Sequence, residues 1–232
     1  SAYTCRPPEA KEEKPVVSAY IGGSVQKIKA LKPDLVIGFS DVQADLARDL
    51  IKENLQVLIT NQRSIAEILG TLQLVGRLVG AEQKANALVE QYRQRIQRIR
   101  AERAGRGFRP KVYFEEWDEP MISAIHWVSE LIEIAGGDNI FADRAGGQAS
   151  KERHVSPAEV IERAPDIFIG CWCGKPLERK AVQERAGFTN IPAIRENKMY
   201  EMDPAIILQP GPACLTDGLD ELCRIIDENY QQ

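Results

Sequence analysis

Two stretches of the chain share one pattern of polar and apolar positions. Ser24–Ile28 leads into Lys32–Gly38, and Ser156–Val160 leads into Ala164–Gly170, with the same separation between the serine and the Pro-Asp pair. In both, the serine can cap a short amphipathic helix, the Pro-Asp pair ends that helix, and a buried apolar strand follows. Because the two copies lie in opposite halves of the chain, they predict two lobes of similar build.

The remaining patterned segments continue an alternation of strands and helices. Strands are predicted at Gln56–Thr60, Lys111–Phe114 and Lys198–Met202. Helices are predicted at Val42–Lys52, Val128–Ile134 and Leu215–Ile226. Alternation of this kind is typical of α/β folds with largely parallel sheets.

A long helical stretch lies between the two halves. An apolar stripe at helical spacing runs from about Ser64 to about Arg103, with a break predicted near Gly80. We interpret it as a rigid connection between lobes. The expected organisation is an N-terminal lobe over residues 1–75, an interlobe helix over 76–105 and a C-terminal lobe over 106–232.

Composition and charge narrow the possible partners. The 232 residues are 44% hydrophobic and 28% charged, with a net charge of −4. An arginine series from Arg93 to Arg109 is interleaved with glutamine and isoleucine, which favours a solvated helix face over a nucleic-acid groove. The apolar stretches are too short to span a bilayer, and Ser1 opens into a polar segment with no signal peptide. We expect a monomer with a small-molecule ligand and no nucleic-acid partner.

Aromatic residues follow the ends of several predicted strands. Phe39 comes directly after Gly38, Trp172 lies two residues after Gly170, and Trp117 lies in the acidic run that follows the strand at Phe114. In open α/β sheets, ligands bind outside the carboxyl ends of the strands. These rings, with nearby thiols and acids, predict an amphipathic pocket between the lobes for a large, partly apolar ligand.

The patterns expected of an enzyme are weak. The sequence has no Gly-x-Ser-x-Gly and no glycine-rich phosphate loop. A reactive thiol at Cys171 or Cys173 would require a depressed pKa, and a metal site would require His126 and His154 to converge. The acidic run is read as a solvated loop. We therefore predict no catalytic residues and no resident metal.

Several stretches resemble the periplasmic cobalamin-binding proteins of ABC transporters, within a wider class that also carries siderophores, haem and metal ions. The matching stretches are Arg6–Ala10, Val25–Ile37, Glu130–Phe141, Val155–Ile169 and Gln209–Pro212. Glu115–Pro120 with Trp127, and Trp172–Gly174, are similar to a subgroup usually labelled cobalamin-binding. The resemblance spans nearly the whole chain.

The resemblance implies an α/β protein of two Rossmann-like lobes joined by one long α-helix, with the ligand held in the cleft between lobes. It implies a non-enzymatic component of an ABC importer that delivers cobalamin or a related corrinoid to permease subunits, with no cofactor of its own. The alternative ligands are a ferric siderophore, haem or a metal ion. Together with the aromatic and polar positions noted above, the expected ligand-binding residues are Tyr3, Tyr20, Phe39, Trp117, Ser123, His126, Trp127, Arg153, Trp172, Asp203 and Gln209.

Three departures from that class stand out. The strand, helix and strand that normally precede the Pro-Pro segment are absent, so the first lobe is expected to be incomplete. The glutamates that dock onto the transporter align with Gln26 and Ala158, and Glu159 is the expected substitute for the second. A tryptophan of the class falls near Glu152 or Arg153, which implies a more polar pocket. The resemblance also implies a periplasmic or other extracytoplasmic location.

Overall fold

A computed structural model describes residues 7–19 and 21–230 of the chain. The chain divides into two compact units, Ser1–Gln62 and Arg63–Gln232. Among the described residues, no helix combines the length and the apolar character needed to cross a membrane.

The N-terminal unit contains a two-stranded parallel sheet flanked by short helices. Its elements are α1 (Ala10–Glu13), α2 (Val25–Ala30), β1 (Val36–Phe39), α3 (Ala44–Lys52) and β2 (Val57–Thr60). Val36 pairs with Val57, and the register continues to Phe39 and Thr60. Ser24 caps α2 by accepting a hydrogen bond from the Lys27 amide at 3.3 Å, so the first predicted helix–strand unit is confirmed.

The C-terminal unit contains a five-stranded sheet with helices packed around it. Its strands are β3 (Lys111–Asp118), β4 (Met121–Ser123), β5 (Asp138–Asn139), β6 (Ile167–Gly170) and β7 (Met199–Glu201). Its helices are α4 (Ile65–Leu78), α5 (Glu82–Arg103), α6 (His126–Ile134), α7 (Pro157–Arg163), α8 (Arg179–Gln183), α9 (Pro192–Arg195), α10 (Pro204–Ile207) and α11 (Leu219–Tyr230), the last preceded by a π-helical turn at Cys214–Gly218. The strand order is β4-β3-β6-β7, and β5 also pairs with β3.

The pairing within this sheet is parallel except between β3 and β4. The predicted α/β class with mainly parallel sheets is therefore confirmed. Aromatic side chains fill the core on one side of β3. Tyr113 packs edge-on against Phe141 and Phe168, with ring centroids 5.7 and 5.4 Å away. All three rings are fully buried, which fixes the central strands firmly.

The predicted helical stretch is present as two helices, α4 and α5. Gly80 lies between them at a φ of +69°, a conformation that glycine adopts without steric cost. Ser64 and Glu67 form a capping box at the start of α4, and Glu130 of α6 accepts a hydrogen bond from the Ile65 amide at 2.7 Å. Both helices thus belong to the unit that begins at Arg63. The interlobe role of residues 76–105, and the three-part division of the chain, stay predictions.

The acidic run after Phe114 differs from expectation. It was predicted to be a solvated loop, but β3 continues through Glu115, Glu116 and Trp117 to Asp118. Successive residues of a strand face opposite sides of the sheet, so Glu115 shares a face with Tyr113, two positions earlier, and it is fully buried. The loop interpretation was wrong because buried ion pairs, described below, compensate these acids.

Candidate functional site

Two tryptophans lie at the same edge of the C-terminal sheet. In the parallel pairing of β3 and β6, Glu115 lies opposite Gly170. Trp117 and Trp172 each lie two residues beyond that pair, at the carboxyl ends of neighbouring strands. This edge is where open α/β sheets bind ligands. The chain therefore builds an aromatic pair from residues that are far apart in sequence.

Trp172 is held by a buried carboxylate. Its indole Nε1 donates a hydrogen bond to Oε1 of Glu115 at 3.1 Å, and only 4% of the residue is exposed. Glu115 also accepts from the Tyr113 hydroxyl at 2.9 Å and from two Arg185 guanidinium nitrogens at 2.7 and 2.9 Å. Burial raises the pKa of Glu115, while the hydrogen bonds from Arg185 oppose that rise. The arrangement fixes the orientation of the Trp172 ring.

Lys175 lies over both tryptophan rings. Its Nζ is 4.4 Å from the centroid of Trp117 and 4.9 Å from that of Trp172, which is within the range of cation–π attraction. The same ammonium contacts both carboxylate oxygens of Asp118, at 2.6 and 2.8 Å. Gly174 precedes it at a φ of +84°, so the chain turns back over the rings.

Ser123 and Arg153 form a second buried contact. The Ser123 hydroxyl donates to the Arg153 carbonyl oxygen at 3.0 Å, and Nη1 of Arg153 donates to the Ser123 carbonyl oxygen at 2.6 Å. The guanidinium of Arg153 also pairs with Glu116. Both residues are buried, and Ser123 lies in β4. These contacts are therefore structural, because they join β4 to the segment around Arg153 within the C-terminal unit.

Trp127 ties two parts of the C-terminal unit together. Its indole Nε1 donates to the Ile207 carbonyl oxygen at 2.9 Å, and it is 2% exposed in α6. This bond anchors α10, whose first turn is capped by Asp203 through a 2.8 Å hydrogen bond from the Ala205 amide. Gln209 follows α10 and is exposed, and His126 at the start of α6 is half-buried. Asp203 and Gln209 are thus held on one segment.

The predicted residues of the first unit are only partly described. Phe39 ends β1, is half-buried, and donates its backbone amide to Oε1 of Gln43 at 2.9 Å. Tyr3 and Tyr20 lie outside the described residues. The ligand-binding role assigned to Phe39 and to the residues of the second unit stays a prediction.

The two positions predicted to dock onto a transporter have different surroundings. Gln26 is exposed on α2. Glu159 closes the capping box of α7 with Ser156 and forms an ion pair with Arg144. These contacts lower the pKa of Glu159 to about 2, with the Ser156 backbone amide as the largest cause. Glu159 therefore already has two partners within its own unit.

The thiols and histidines do not form a catalytic or metal centre in the described part of the chain. Burial raises the pKa of Cys171 and of Cys173, the opposite of the depressed pKa that a reactive thiol would require. No three side chains of the histidine, cysteine or acidic type are grouped so as to hold a metal ion among residues 7–19 and 21–230. The thiol-enzyme hypothesis loses its main support.

Sequence reasoning missed three residues at this edge, namely Glu115, Lys175 and Arg185. The spacing of Tyr113 and Glu115 was a usable signal, because residues two apart in a strand share a face and the carboxylate therefore lies on the same face as the Tyr113 ring. Nothing in the local sequence indicated Lys175 or Arg185, whose partners lie 57 and 70 positions away.

Comparison with known proteins places this chain among binding proteins. The substrate-binding lipoprotein YvrC of Bacillus subtilis is 26% identical over 212 residues, which cover 88% of this chain and 65% of that protein. The chain thus spans slightly less than two thirds of YvrC. The vitamin B12-binding protein of Vibrio cholerae is 24% identical over 228 residues, covering 96% of this chain and 78% of that protein.

Solved structures show the same fold. The haem-binding protein RhuT from Roseiflexus aligns with a TM-score of 0.79 at 24% identity, over 97% of this chain and 87% of its own. The vitamin B12-binding protein BtuF of Vibrio cholerae aligns with a TM-score of 0.71 at 22% identity, over 97% of this chain and 86% of its own. The sequence pattern of the family described as "Periplasmic binding protein" matches residues 1–206. The family and the relatives compared above are transport-associated binding proteins and not enzymes. This chain is a member of that periplasmic binding protein family.

Proposed function

We propose that this protein is the extracytoplasmic solute-binding component of an ABC importer, and that its ligand is cobalamin or a related corrinoid that it delivers to the membrane permease. Membership of the periplasmic binding protein family supports the transport role. Relatives named as vitamin B12-binding proteins cover 96% of the chain, which supports the corrinoid.

The observation that carries this proposal is the tryptophan pair at the carboxyl ends of β3 and β6. Trp117 and Trp172 supply apolar ring faces, Asp118 ends β3, and Asp203 and Gln209 follow β7 on the segment that carries α10. A corrin ring with amide side chains suits such a mixture, since rings stack on indoles and amides bond to polar groups. The sequence-based expectation that the first lobe adds aromatic contacts belongs to the same proposal.

The alternative ligands differ in how well the C-terminal unit suits them. A ferric siderophore would need arginines at the site, and the first candidate, Arg153, is 5% exposed and engaged by Glu116 and Ser123. Haem shares the flat conjugated ring of a corrinoid, and structural relatives named as haem-binding have the same fold. Haem is therefore the second candidate.

Calorimetric titration of the purified protein with cyanocobalamin, cobinamide and hemin tests the proposal. We expect one-to-one binding of both corrinoids, since recognition through the ring does not need the nucleotide tail. Trp117→Ala should weaken binding about tenfold through lost stacking, while Phe108→Ala, at an exposed ring in the same unit, should leave it unchanged. Binding of hemin alone would contradict the corrinoid assignment. Equal affinities for the two variants would contradict the site.

A further inference from the structure

A single ammonium group covers the faces of both candidate stacking rings. Nζ of Lys175 is 4.4 Å from the Trp117 centroid and 4.9 Å from the Trp172 centroid. A flat ligand that stacks on an indole also places its atoms within about 4 Å of the ring face. The ligand and the Lys175 ammonium would therefore compete for the same space.

The ion pair that keeps the Lys175 ammonium over the rings is only partly buried. Lys175 has 38% of its side chain exposed, and its partner Asp118 has 22% exposed. In contrast, the Glu115 side chain is 0% exposed and that of Arg185 is 17% exposed. Partly exposed ion pairs contribute little to stability, because water replaces the partner when the pair separates. Lys175 can leave the rings at small cost, whereas the Glu115–Arg185 pair keeps Trp172 in place.

We propose that Lys175 is a displaceable cap on the Trp117–Trp172 pair. Its ammonium lies over the ring faces, and a ligand with a flat conjugated ring takes its place. This inference rests on the proposed function, because it takes the two tryptophans to be the stacking surface.

Displacement fits the surroundings better than direct recognition of an acidic ligand group by Lys175. The ammonium already contacts both carboxylate oxygens of Asp118 and two ring faces. Once the ammonium leaves the rings, the Asp118 carboxylate beside them would repel an acidic group, whereas a neutral ring would not be repelled. The cap thus favours large flat ligands, which regain on both indoles the contact that the ammonium loses, over compact polar ones.

The first test needs no ligand. Lys175→Ala should increase acrylamide quenching of tryptophan fluorescence, because both indoles lose their cover. Lys180→Ala is the matched control, since Lys180 lies on α8 with 85% of its side chain exposed and a 3.7 Å ion pair to Glu184. Quenching of the Lys175→Ala variant equal to that of the wild type would show that the ammonium does not cover the rings, and would overturn the proposal whatever the ligand is.

The second test is calorimetric titration of the same proteins with cobinamide and hemin. Lys175→Ala should bind about fivefold more tightly than the wild type, which corresponds to about 1 kcal/mol. Asp118→Asn should bind more tightly by a smaller factor, because it loosens the ammonium, and Lys180→Ala should match the wild type. Binding in the Lys175→Ala variant alone, with none in the wild type, would show that these ligands do not displace the ammonium, and would overturn both the displaceable cap and the proposed function.

Two results would overturn the cap while leaving the proposed function standing. One is wild-type binding of cobinamide that Lys175→Ala does not change. The other is binding that Lys175→Ala weakens, since the lysine would then be a ligand contact. If neither ring ligand bound to any variant, both the cap and the proposed function would be contradicted.

Discussion

The Glu115 carboxylate is a charged group at the centre of an aromatic core, and its neighbours explain why it can lie there. Four donor groups reach its two oxygens, from Tyr113, Trp172 and the two terminal nitrogens of Arg185. A buried carboxylate without partners would cost several kcal/mol or take up a proton. With its hydrogen-bonding capacity filled, it instead orients the ring that we propose as a stacking surface.

The stability of the protein should depend on the ion pair between Glu115 and Arg185. We expect Arg185→Met to lower the free energy of unfolding by about 3–5 kcal/mol, because it leaves the buried carboxylate without its charged partner. Urea denaturation followed by circular dichroism measures the loss. Lys180→Met, at an exposed pair in the same unit, should change stability by less than about 0.5 kcal/mol.

The double variant Glu115→Gln with Arg185→Met sharpens this test. Because no buried charge remains, part of the lost stability should return, and the two substitutions should be clearly non-additive. A single Arg185→Met variant as stable as the wild type would show that the ion pair does not stabilise the unit.

At the scale of elements, helix α7 shows what short-range sequence signals can specify. Ser156 predicted its start, and the structure has Pro157 in the first turn and both halves of a capping box between Ser156 and Glu159. The Ser156 amide donates to the Glu159 carboxylate at 2.8 Å, and the Glu159 amide donates to the Ser156 hydroxyl at 3.4 Å. Every group needed for this cap lies within four consecutive residues, so the sequence alone could predict it.

The pKa of Glu159 makes this cap sensitive to acid. It falls from its ordinary value of 4.5 to about 2 through the Ser156 amide, the Ser156 hydroxyl and Arg144. A carboxyl whose pKa is lower in the folded state stabilises the fold above its unfolded value. That contribution is fully present above pH 4.5 and is lost as the pH falls towards about 2. We expect Glu159→Gln to reduce the loss of stability in that interval, measured as urea midpoints, whereas Glu162→Gln on the same helix should not.

The elements of the candidate site could be predicted less well than the helices and strands that carry it. Trp172 was recognised because it lies just after an apolar strand that ends in glycine. Its two supports were not, because Lys175 meets Asp118 across 57 positions and Arg185 meets Glu115 across 70. Such pairs leave no periodic trace in the sequence, since only the folded sheet brings them together. The acidic run was mistaken for a loop because acids are exposed in most proteins.

At the scale of the whole molecule, the two compact units differ in how much apolar surface each can bury. In the described part of the N-terminal unit, the buried apolar residues are Ile28, Ala47 and Leu50. Large side chains there, such as Ile37 at 45% and Ile51 at 59%, remain exposed. The C-terminal unit instead buries aromatic and aliphatic side chains on both faces of its sheet. A unit of about 60 residues with so small a core is marginal by itself.

This difference predicts that the C-terminal unit is independently stable. We expect residues 63–232, expressed alone, to show the circular dichroism of an α/β protein and a single cooperative thermal transition. Residues 1–62 alone should show no cooperative transition, because their described core does not offset the conformational entropy lost on folding. An unfolded 63–232 fragment would contradict the prediction. It would mean that the network around Glu115 and the Tyr113 core do not suffice to hold the larger unit, so that its stability depends on residues before Arg63.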